Sequence, residues 1–550
     1  MALALGRFRL QYILMLLLFM LSSSSLLGVF AALPSLSSSE FFRYEFIVDE
    51  DGFTLVKIRY TSSGSGVGSS WVFVPRFSPW INRTVHGRIY SWSIGEPEEY
   101  TGSPYYFYKV FNFSFMHDSG FFELLIEYNF STAAMIIEPN GMFYSPQIGF
   151  ESGCGFEAAV IFPSSFRVNL GEALAIGRAS YGYDRSLSNS SFIVFRNLPQ
   201  SENLLRIQVG FRVNREPDLV VLDSSVFKFS TVRRYESYAR KILELYNETY
   251  NLFVDLFNVT LGQIDSINVR FFIPDFYSLM SVGGYVPFSG GSMGDIYVNF
   301  VFTRYVEGYL EVIALHELVH HFMWRAGLSP NNLLWFHEGL AQYVSIEFAE
   351  RLGFEGARMI RSDIEASVQR VRALVSDNFG FLASWTPKYA PRDMSTLYAA
   401  AYYVVSELAN EYGGLNFYAR FFRVLGGGSI EDNAALCYYL SLAAGESIVE
   451  RFNSWGFNIP DLYTYTPLIR EVELAIEGMD GRNILLQPFR HLANLIYRGV
   501  ISGWMPAEAA PSLLLTALLI ARLAPLLALI TYSGIIFVAL ILALKVKGVL

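Results

Sequence analysis

Cysteine is nearly absent from this chain: there are two in 550 residues, Cys154 and Cys437. Two thiols give no spacing from which a disulfide framework can be read, so pairing across domains in an oxidising compartment and two buried free thiols stand as equal readings. Charge is scarce as well, at 17%. With a net charge of −9 and no run rich in Lys or Arg, the chain has neither the basic footprint of a nucleic-acid binder nor a polybasic membrane anchor. No G-K-[ST] accompanies the glycines at 290–294, which excludes a nucleotide loop there. No internal repeat is visible. What is abundant is apolar: 52% of residues are hydrophobic, in a length that accommodates two or three domains together with membrane segments. Histidine is rare, seven in all, and four of the seven (His316, His320, His321, His337) fall within 22 positions.

Two of them frame His316-Glu317-Leu318-Val319-His320. With so few histidines, an accidental H-E-x-x-H is expected on the order of once in two hundred such chains. On a helix the two imidazoles lie one turn apart, about 6 Å along the axis, and converge from one face on a single ion at ~2.0–2.1 Å each. Ile313-Ala314-Leu315 and Leu318-Val319 supply the apolar neighbours of a buried helix. Glu317 sits beside the pair, free to handle protons. His321 points about 100° further round and belongs to packing or to the surroundings of the ligands. A catalytic zinc keeps three protein ligands and leaves its fourth position to water, so a carboxylate or histidine must come from a separate element. Glu338 in Trp335-Phe336-His337-Glu338-Gly339-Leu340-Ala341 meets that need. It opens an apolar run that reads as a second helix, and residues 325–332 before it carry the Gly, Ser-Pro and Asn chemistry of a reversing loop. His337 reads as a contact to substrate or to a ligand, or as a surface histidine.

These residues resemble the gluzincins, the H-E-x-x-H zinc peptidases whose third ligand is a glutamate, as in thermolysin and the membrane-alanyl and glycyl aminopeptidases. The W-F-H-E-G-L-A segment is similar to the W-x-x-E-G-x-A signature of the aminopeptidase-like branch, although the 17 residues between His320 and Glu338 are one fewer than is usual there. The resemblance implies Zn2+ held by His316, His320 and Glu338. Zinc in such a site polarises a carbonyl and lowers the pKa of water to about 7. Glu317 then takes a proton from water and passes it to the leaving amine, a role typically worth ~10²- to 10⁴-fold. The family also uses a tyrosine as oxyanion donor on a later helix. Leu397-Tyr398-Ala399-Ala400-Ala401-Tyr402, reached 60 residues past Glu338, resembles the Y-x-x-G-A element that carries it. Tyr398 is the candidate, Tyr402 the alternative donor, and core packing the competing explanation.

Gly-Gly-Ser-Met-Gly at 290–294 also matches the G-x-S-x-G nucleophile elbow, but it leads into the strand-like residues 295–300 rather than into a helix, which argues against a serine hydrolase. Residues 283–300 instead resemble the hairpin and edge strand that precede the zinc helix in this family and receive the substrate backbone by strand addition. Aminopeptidases of the branch fix the substrate amine with a glutamate in a G-x-M-E-N strand, because a buried ammonium needs a paired carboxylate. Residues 283–300 hold no glutamate, and their one acid is Asp295. The expected activity is therefore zinc-dependent hydrolysis of peptide bonds in peptides or proteins, by an endopeptidase in preference to an aminopeptidase. The alternative from another class is an inactive cell-surface adhesion or receptor protein on a peptidase fold; against it, ligands and base are all present.

The fold class expected is multidomain α+β. Residues 1–32 have Arg7 and Arg9, an apolar stretch, and Val29 and Ala31 placed as a cleavage site requires, which reads as a signal peptide or, failing cleavage, an N-terminal anchor. Residues 36–220 read as a β-rich, antiparallel sandwich-like domain: 42–48 and 53–60 flank an Asp51-Gly52 turn, 105–115, 121–130 and 204–213 continue it, and the Ser/Gly run at 62–70 reads as a flexible loop. Asp49-Glu50-Asp51-Gly52 is a hairpin turn rather than a calcium loop. Residues 225–460 hold the catalytic domain, for which the resemblance implies a thermolysin-like mixed sheet followed by helices. The period turns helical from Phe229 to Leu256, 267–273 reads as a strand, and helices dominate after 310. A helical extension fills 461–510. Residues 523–544 carry no charge and measure about 33 Å as a helix, enough to cross a bilayer. Residues 512–521, interrupted by Arg522 and Pro525, read as a buried or interfacial preface. Lys545 and Lys547 place the tail in the cytoplasm and the rest outside the cell membrane, with which sequons at Asn82, Asn112, Asn129, Asn189, Asn247 and Asn258 agree.

Overall fold

The computed structural model of this chain describes residues 40–546 except 104, 106, 132, 225, 263–265, 280, 281, 290 and 305–307. The expected signal peptide or anchor at 1–32, Gly290 and Lys547 lie outside the described residues.

The first half is built from strands because its apolar residues recur at every second position. In Glu40–Val48 the alternation sends Phe42, Tyr44, Phe46 and Val48 inward. This strand joins a six-stranded sheet in the order Phe192–Arg196, Gly155–Ile161, Glu40–Val48, Thr54–Ser63, Phe121–Phe130, Trp80–His86. A second sheet, with Phe166–Ile176 and Leu204–Val213 at its centre, and a three-stranded sheet of Val67–Pro75, Tyr108–Met116 and Arg88–Gly95 close over it. Their shared core is aromatic: Phe42, Tyr60, Phe113, Phe115 and Phe122 are all essentially inaccessible. The outward faces carry cross-strand ion pairs, Arg59 with Glu123 and Lys57 with Glu127 at 3.5 Å.

Two expectations for this half need correction. The sandwich is not wholly antiparallel, since Glu40–Val48 pairs in parallel with Gly155–Ile161. The Ser/Gly run at 62–70 is mostly sheet, with only residues 64–66 turning between two strands, because strand pairing satisfies a small-residue backbone as well as any other. Of the six sequon asparagines, Asn112 is half-buried inside the three-stranded sheet, and the other five are exposed.

The second half begins with a five-stranded mixed sheet. Its strands are β1 (Leu219–Asp223), β2 (Phe227–Val232), β3 (Ile267–Phe272), β4 (Gly284–Tyr285) and β5 (Ile296–Asn299), in the order β1-β2-β3-β5-β4. The helical period expected from Phe229 gives way here: Phe227–Val232 pairs in parallel with β3, and helix α1 (Glu236–Phe257) starts only after it. Only six residues long, with an alternation (Phe227, Lys228, Phe229, Ser230) that lasts four positions, the strand is too short to stand out from the amphipathic helix that follows. β1, which straddles residue 220, pairs with β2 in this second sheet. Ile136 N–H donates to the Tyr235 hydroxyl at 2.9 Å, and Arg234 reaches Glu138 at 2.9 Å and Asp51 at 2.7 Å, so the halves are bonded to each other.

Helices α2 (Tyr309–Arg325), α3 (Pro330–Arg351), α4 (Glu355–Val375), α5 (Met394–Tyr412), α6 (Leu415–Leu425) and α7 (Asn433–Ala444) pack on that sheet and on each other. Cys437 lies in their core and Cys154 in the β-rich core; both are buried and free, which removes the cross-domain disulfide. The extension is helical, with α8 (Thr466–Glu477) and α9 (Gln487–Ser502) packed on α10 (Ala510–Val546). α10 runs unbroken through Pro525. Ala510, Leu514, Ala517, Leu518 and Ala521 are buried, as a preface packed on protein requires. Residues Ala507–Val546 form a helix long and apolar enough to be a candidate membrane span, the only one among the described residues.

Candidate metal centre

α2 is apolar on nearly every side, with Leu310, Val312, Ala314, Leu315, Leu318, Val319, Phe322 and Met323 all buried, as a helix threaded through a core must be. At its start Gly308 (φ +102°) donates its backbone N–H to Glu311 Oε2 at 2.8 Å. From α1, the Tyr246 hydroxyl donates to the Ala314 carbonyl at 2.9 Å, pinning the turn just before His316. Nothing in the sequence marked Tyr246 among 34 tyrosines.

α3 brings the third candidate ligand back. Gly327 (φ +98°) turns the chain where a Cβ would lie 1.9 Å from the Gly428 carbonyl oxygen, so only glycine fits. The helix then starts at Pro330, capped by Ser329, eight residues earlier than the expected start at Glu338, and absorbs the change of direction in a kink at Leu333. Pro at the first position and Ser before it are both good helix starters, a signal the loop reading of 325–332 passed over. Glu338 therefore projects from mid-helix. Gly339 beside it has a clear function: a Cβ there would meet the Ala401 carbonyl oxygen at 2.5 Å, so its absence lets α3 and α5 cross in contact.

The three predicted ligands converge. His316 Nε2 lies 3.1 Å and His320 Nε2 3.7 Å from Glu338 Oε2, and all three ligand atoms fall within 4.8 Å of one another. Donors of a tetrahedron with ~2.0–2.1 Å bonds stand about 3.3 Å apart, so the cluster fits a small divalent cation. Their side chains are 12%, 8% and 12% exposed, so the cluster is nearly but not wholly withdrawn from solvent. The electrostatics suit a cation too. Burial drives His320 down to about 3, leaving a neutral imidazole. Burial opposes the charge on Glu338, but His320 and His316 outweigh it and hold the carboxyl down to about 2. In His316 burial is likewise overcome, by the Glu338 hydrogen bond and the Glu317 charge, and its pKa rises. A raised His316 pKa sets proton and cation in competition for the same nitrogen.

Glu317 is 5% exposed, and burial, with the Glu338 charge against it and His316 in its favour, raises its carboxyl to about 8. Over it runs the edge strand β4: a Cβ at Gly284 would lie 2.7 Å from Glu317 Oε1 and 2.8 Å from the Tyr297 carbonyl oxygen. Gly284 pairs with Val298 and Tyr285 with Tyr297, and the other side of β4 is the edge of the sheet. The Ser292–Met293 part of the elbow-like stretch forms a two-residue strand paired with Phe288–Ser289 and leads to no helix. Asp295 is occupied, accepting from Asn268 Nδ2 at 3.0 Å and facing Arg270 at 3.3 Å.

Tyr398 and Tyr402 separate. Tyr398 is half-buried, its ring edge-on to Trp385 at 5.4 Å, and its hydroxyl is pushed well up by burial and by the Glu338 and Glu317 carboxylates beside it. One turn on, Tyr402 points into a different cluster, where Arg361 reaches it at 3.4 Å and also pairs with Glu347 and Glu350. His337 is fully buried rather than on the surface. Its Nε2–H donates to the Leu328 carbonyl at 3.1 Å, and its ring stacks 5.7 Å from that of His320. His321 is also buried and turns toward Gly294 and Asp295, away from the triad. A scan of the chain against protein-family models gives no match, and a search of curated proteins gives none either.

Proposed function

We propose that this chain is a zinc metallopeptidase of gluzincin type, with a thermolysin-like second half, anchored by α10 with the body outside the cell. The observation that carries the reading is the convergence of His316, His320 and Glu338 in one cluster with Glu317 and Tyr398 close by, next to a sheet edge able to take an extended chain. Zinc held by the three would supply Lewis acidity toward a carbonyl and water of lowered pKa. Glu317 takes the water proton and delivers it to the departing amine. Tyr398 donates its hydroxyl hydrogen to the oxygen that becomes negative, while β4 aligns the peptide backbone by main-chain hydrogen bonds. Burial of the site excludes bulk water and strengthens each of these interactions.

Tyr398→Phe is expected to keep fold and metal and to lower kcat on the order of 10²-fold or more, the usual worth of one oxyanion donor. Tyr402→Phe removes only a hydroxyl of the Arg361 cluster and should leave kcat near its original value. Steady-state kinetics of the two variants reversing that order would refute the assignment of Tyr398.

Endopeptidase action is favoured because the one acid of residues 283–300 is already paired with Asn268 and Arg270. A carboxylate so engaged offers little to a substrate ammonium. Incubation of the full chain with matched peptides bearing free or acetylated N-termini tests this directly. Similar cleavage at internal bonds of both is expected; stepwise release of single residues from the free form alone would make the protein an aminopeptidase.

A further inference from the structure

α10 is 37 residues long, about 56 Å, whereas a bilayer's hydrocarbon core is about 30 Å thick. Burial accounts for the excess. Contact with the rest of the protein runs down one side of the helix from Ala510 and stops at Ala528; the other side is already exposed at Leu515, Leu519, Leu523 and Leu526 (45–58%), and beyond Ala528 exposure extends all round, with Leu529, Ile530, Ile535, Ile536 and Phe537 58–68% exposed. Residues 529–546 measure about 27 Å, one core thickness. If α10 spans a membrane, the bilayer surface on the body side therefore lies near Ala528.

The extension places a second element at that level. α9, 16 residues and about 24 Å long, turns at Gly503 (φ +84°) and the chain returns as α10, so the two run antiparallel. Their far end is fixed to the body: Glu431 N–H donates to the Ser502 carbonyl at 2.7 Å, and Gly503 packs against the Asp432 carboxylate. The start of α9 consequently comes level with the turn of α10 around residue 526. α8 agrees independently, because Glu471 pairs with Arg522 and the helix ends six residues later. The connection between α8 and α9 thus reaches the height at which α10 loses its protein neighbours. It presents Ile484, 79% exposed, and Leu485, 47% exposed, with Leu492 exposed on the first turns of α9.

We propose that this loop, residues 480–486, dips into the lipid interface as a second membrane contact beside the α10 span. Scattered surface leucines and isoleucines need no explanation, but a projecting Ile-Leu pair at the level where a span emerges has one in lipid. Asp480, Arg482 and Arg490 flank the pair in the polar headgroup layer, and the Arg522–Glu471 ion pair lies just above it. With two contacts, the body is held in one orientation above the membrane instead of swinging on a single helix. The proposal rests on reading α10 as a span.

The test uses the full chain in phosphatidylcholine vesicles, with an environment-sensitive fluorophore placed at Ile484→Cys. Cys154 and Cys437 are buried and leave the new thiol to react alone. Phe537→Cys reports on the span, and Trp504→Cys, at the far end of the α9–α10 pair, reports on the body. A blue-shifted Ile484 probe quenched by lipids carrying a nitroxide near the headgroup is expected, with the Phe537 probe quenched by a deep nitroxide and the Trp504 probe by neither. A water-like, unquenched Ile484 probe beside a quenched Phe537 probe would overturn the interfacial loop and leave the span intact. Failure of both would remove the span itself. A blue shift at Ile484 that lipid nitroxides do not quench and that dilution of the protein abolishes would assign the surface to a second copy of the chain.

Discussion

Alanine at His316, His320 or Glu338 is expected to take the chain from about one metal ion per molecule to essentially none and to reduce peptide hydrolysis to background. Each side chain contributes one donor atom to a cluster no wider than 4.8 Å, so two survivors cannot close three sides of a tetrahedron. Folding should persist, because α2 is held by its apolar faces and by Tyr246 at Ala314 rather than by the imidazoles. Metal analysis together with circular dichroism separates the two effects; full occupancy in all three variants would end the assignment. The pH dependence has a definite sign. In the metal-free site the proton on His316 competes with the cation, and its pKa lies above the ordinary histidine value because Glu338 and Glu317 face it. Occupancy in the unaltered chain should therefore fall as pH drops through that range and recover as it rises.

The convergence of His316, His320 and Glu338 was legible in the sequence because its geometry is largely local. Two histidines at helical spacing and a glutamate opening an apolar run need only a chain reversal to meet, and Gly327 supplies one. Tyr398 and Tyr402 were singled out through resemblance alone and stood as alternatives one turn apart; the structure sets Tyr398 near Glu338 and Glu317 and Tyr402 beside Arg361. What separates them is the crossing of α3 and α5 at Gly339 and Ala401, a contact between segments about 60 residues apart that no window of sequence contains. The burial of His337 was hidden for the same reason: its partner is the Leu328 carbonyl, and every residue type offers a carbonyl.

Strands in the first half were legible wherever one face is core and the other solvent, as in Phe121–Phe130, whose observed limits match the alternation residue for residue. Legibility failed where both faces are covered or the strand is very short. β2 carries buried residues at four of six positions and merges with the helix that follows, and β4 is two residues long. The glycine pair at 283–284 was visible, but its reason is spatial: the strand must lie within contact of Glu317 and of the Tyr297 carbonyl. A composition-based reading of α10 gave a 22-residue span; the structure divides the same helix by its burial at Ala528 instead.

Glu317→Gln is expected to keep the metal and lose turnover by ~10²- to 10⁴-fold, the range for a general base. The substitution preserves side-chain volume beneath Gly284, where a larger group has no room, and leaves all three candidate ligands in place. It also has a readout independent of activity. In the metal-free protein the Glu317 carboxyl, raised from 4.5 to about 8 chiefly by burial, is more easily kept protonated in the folded chain than in the unfolded one. A raised folded-state pKa contributes stability that is complete below the unfolded value and is lost as pH climbs through the folded value. Metal-free wild type should accordingly lose stability between about pH 4.5 and 8, and the Gln variant, which has nothing to ionise at that position, should lose less over the same interval. Denaturant titrations across that range, paired with kcat measured on the metal-loaded forms, test both halves. A variant that keeps metal and turnover would move the base elsewhere in the site. One that loses turnover but follows the wild-type pH profile would show that Glu317 matters for catalysis without being the buried acid described above.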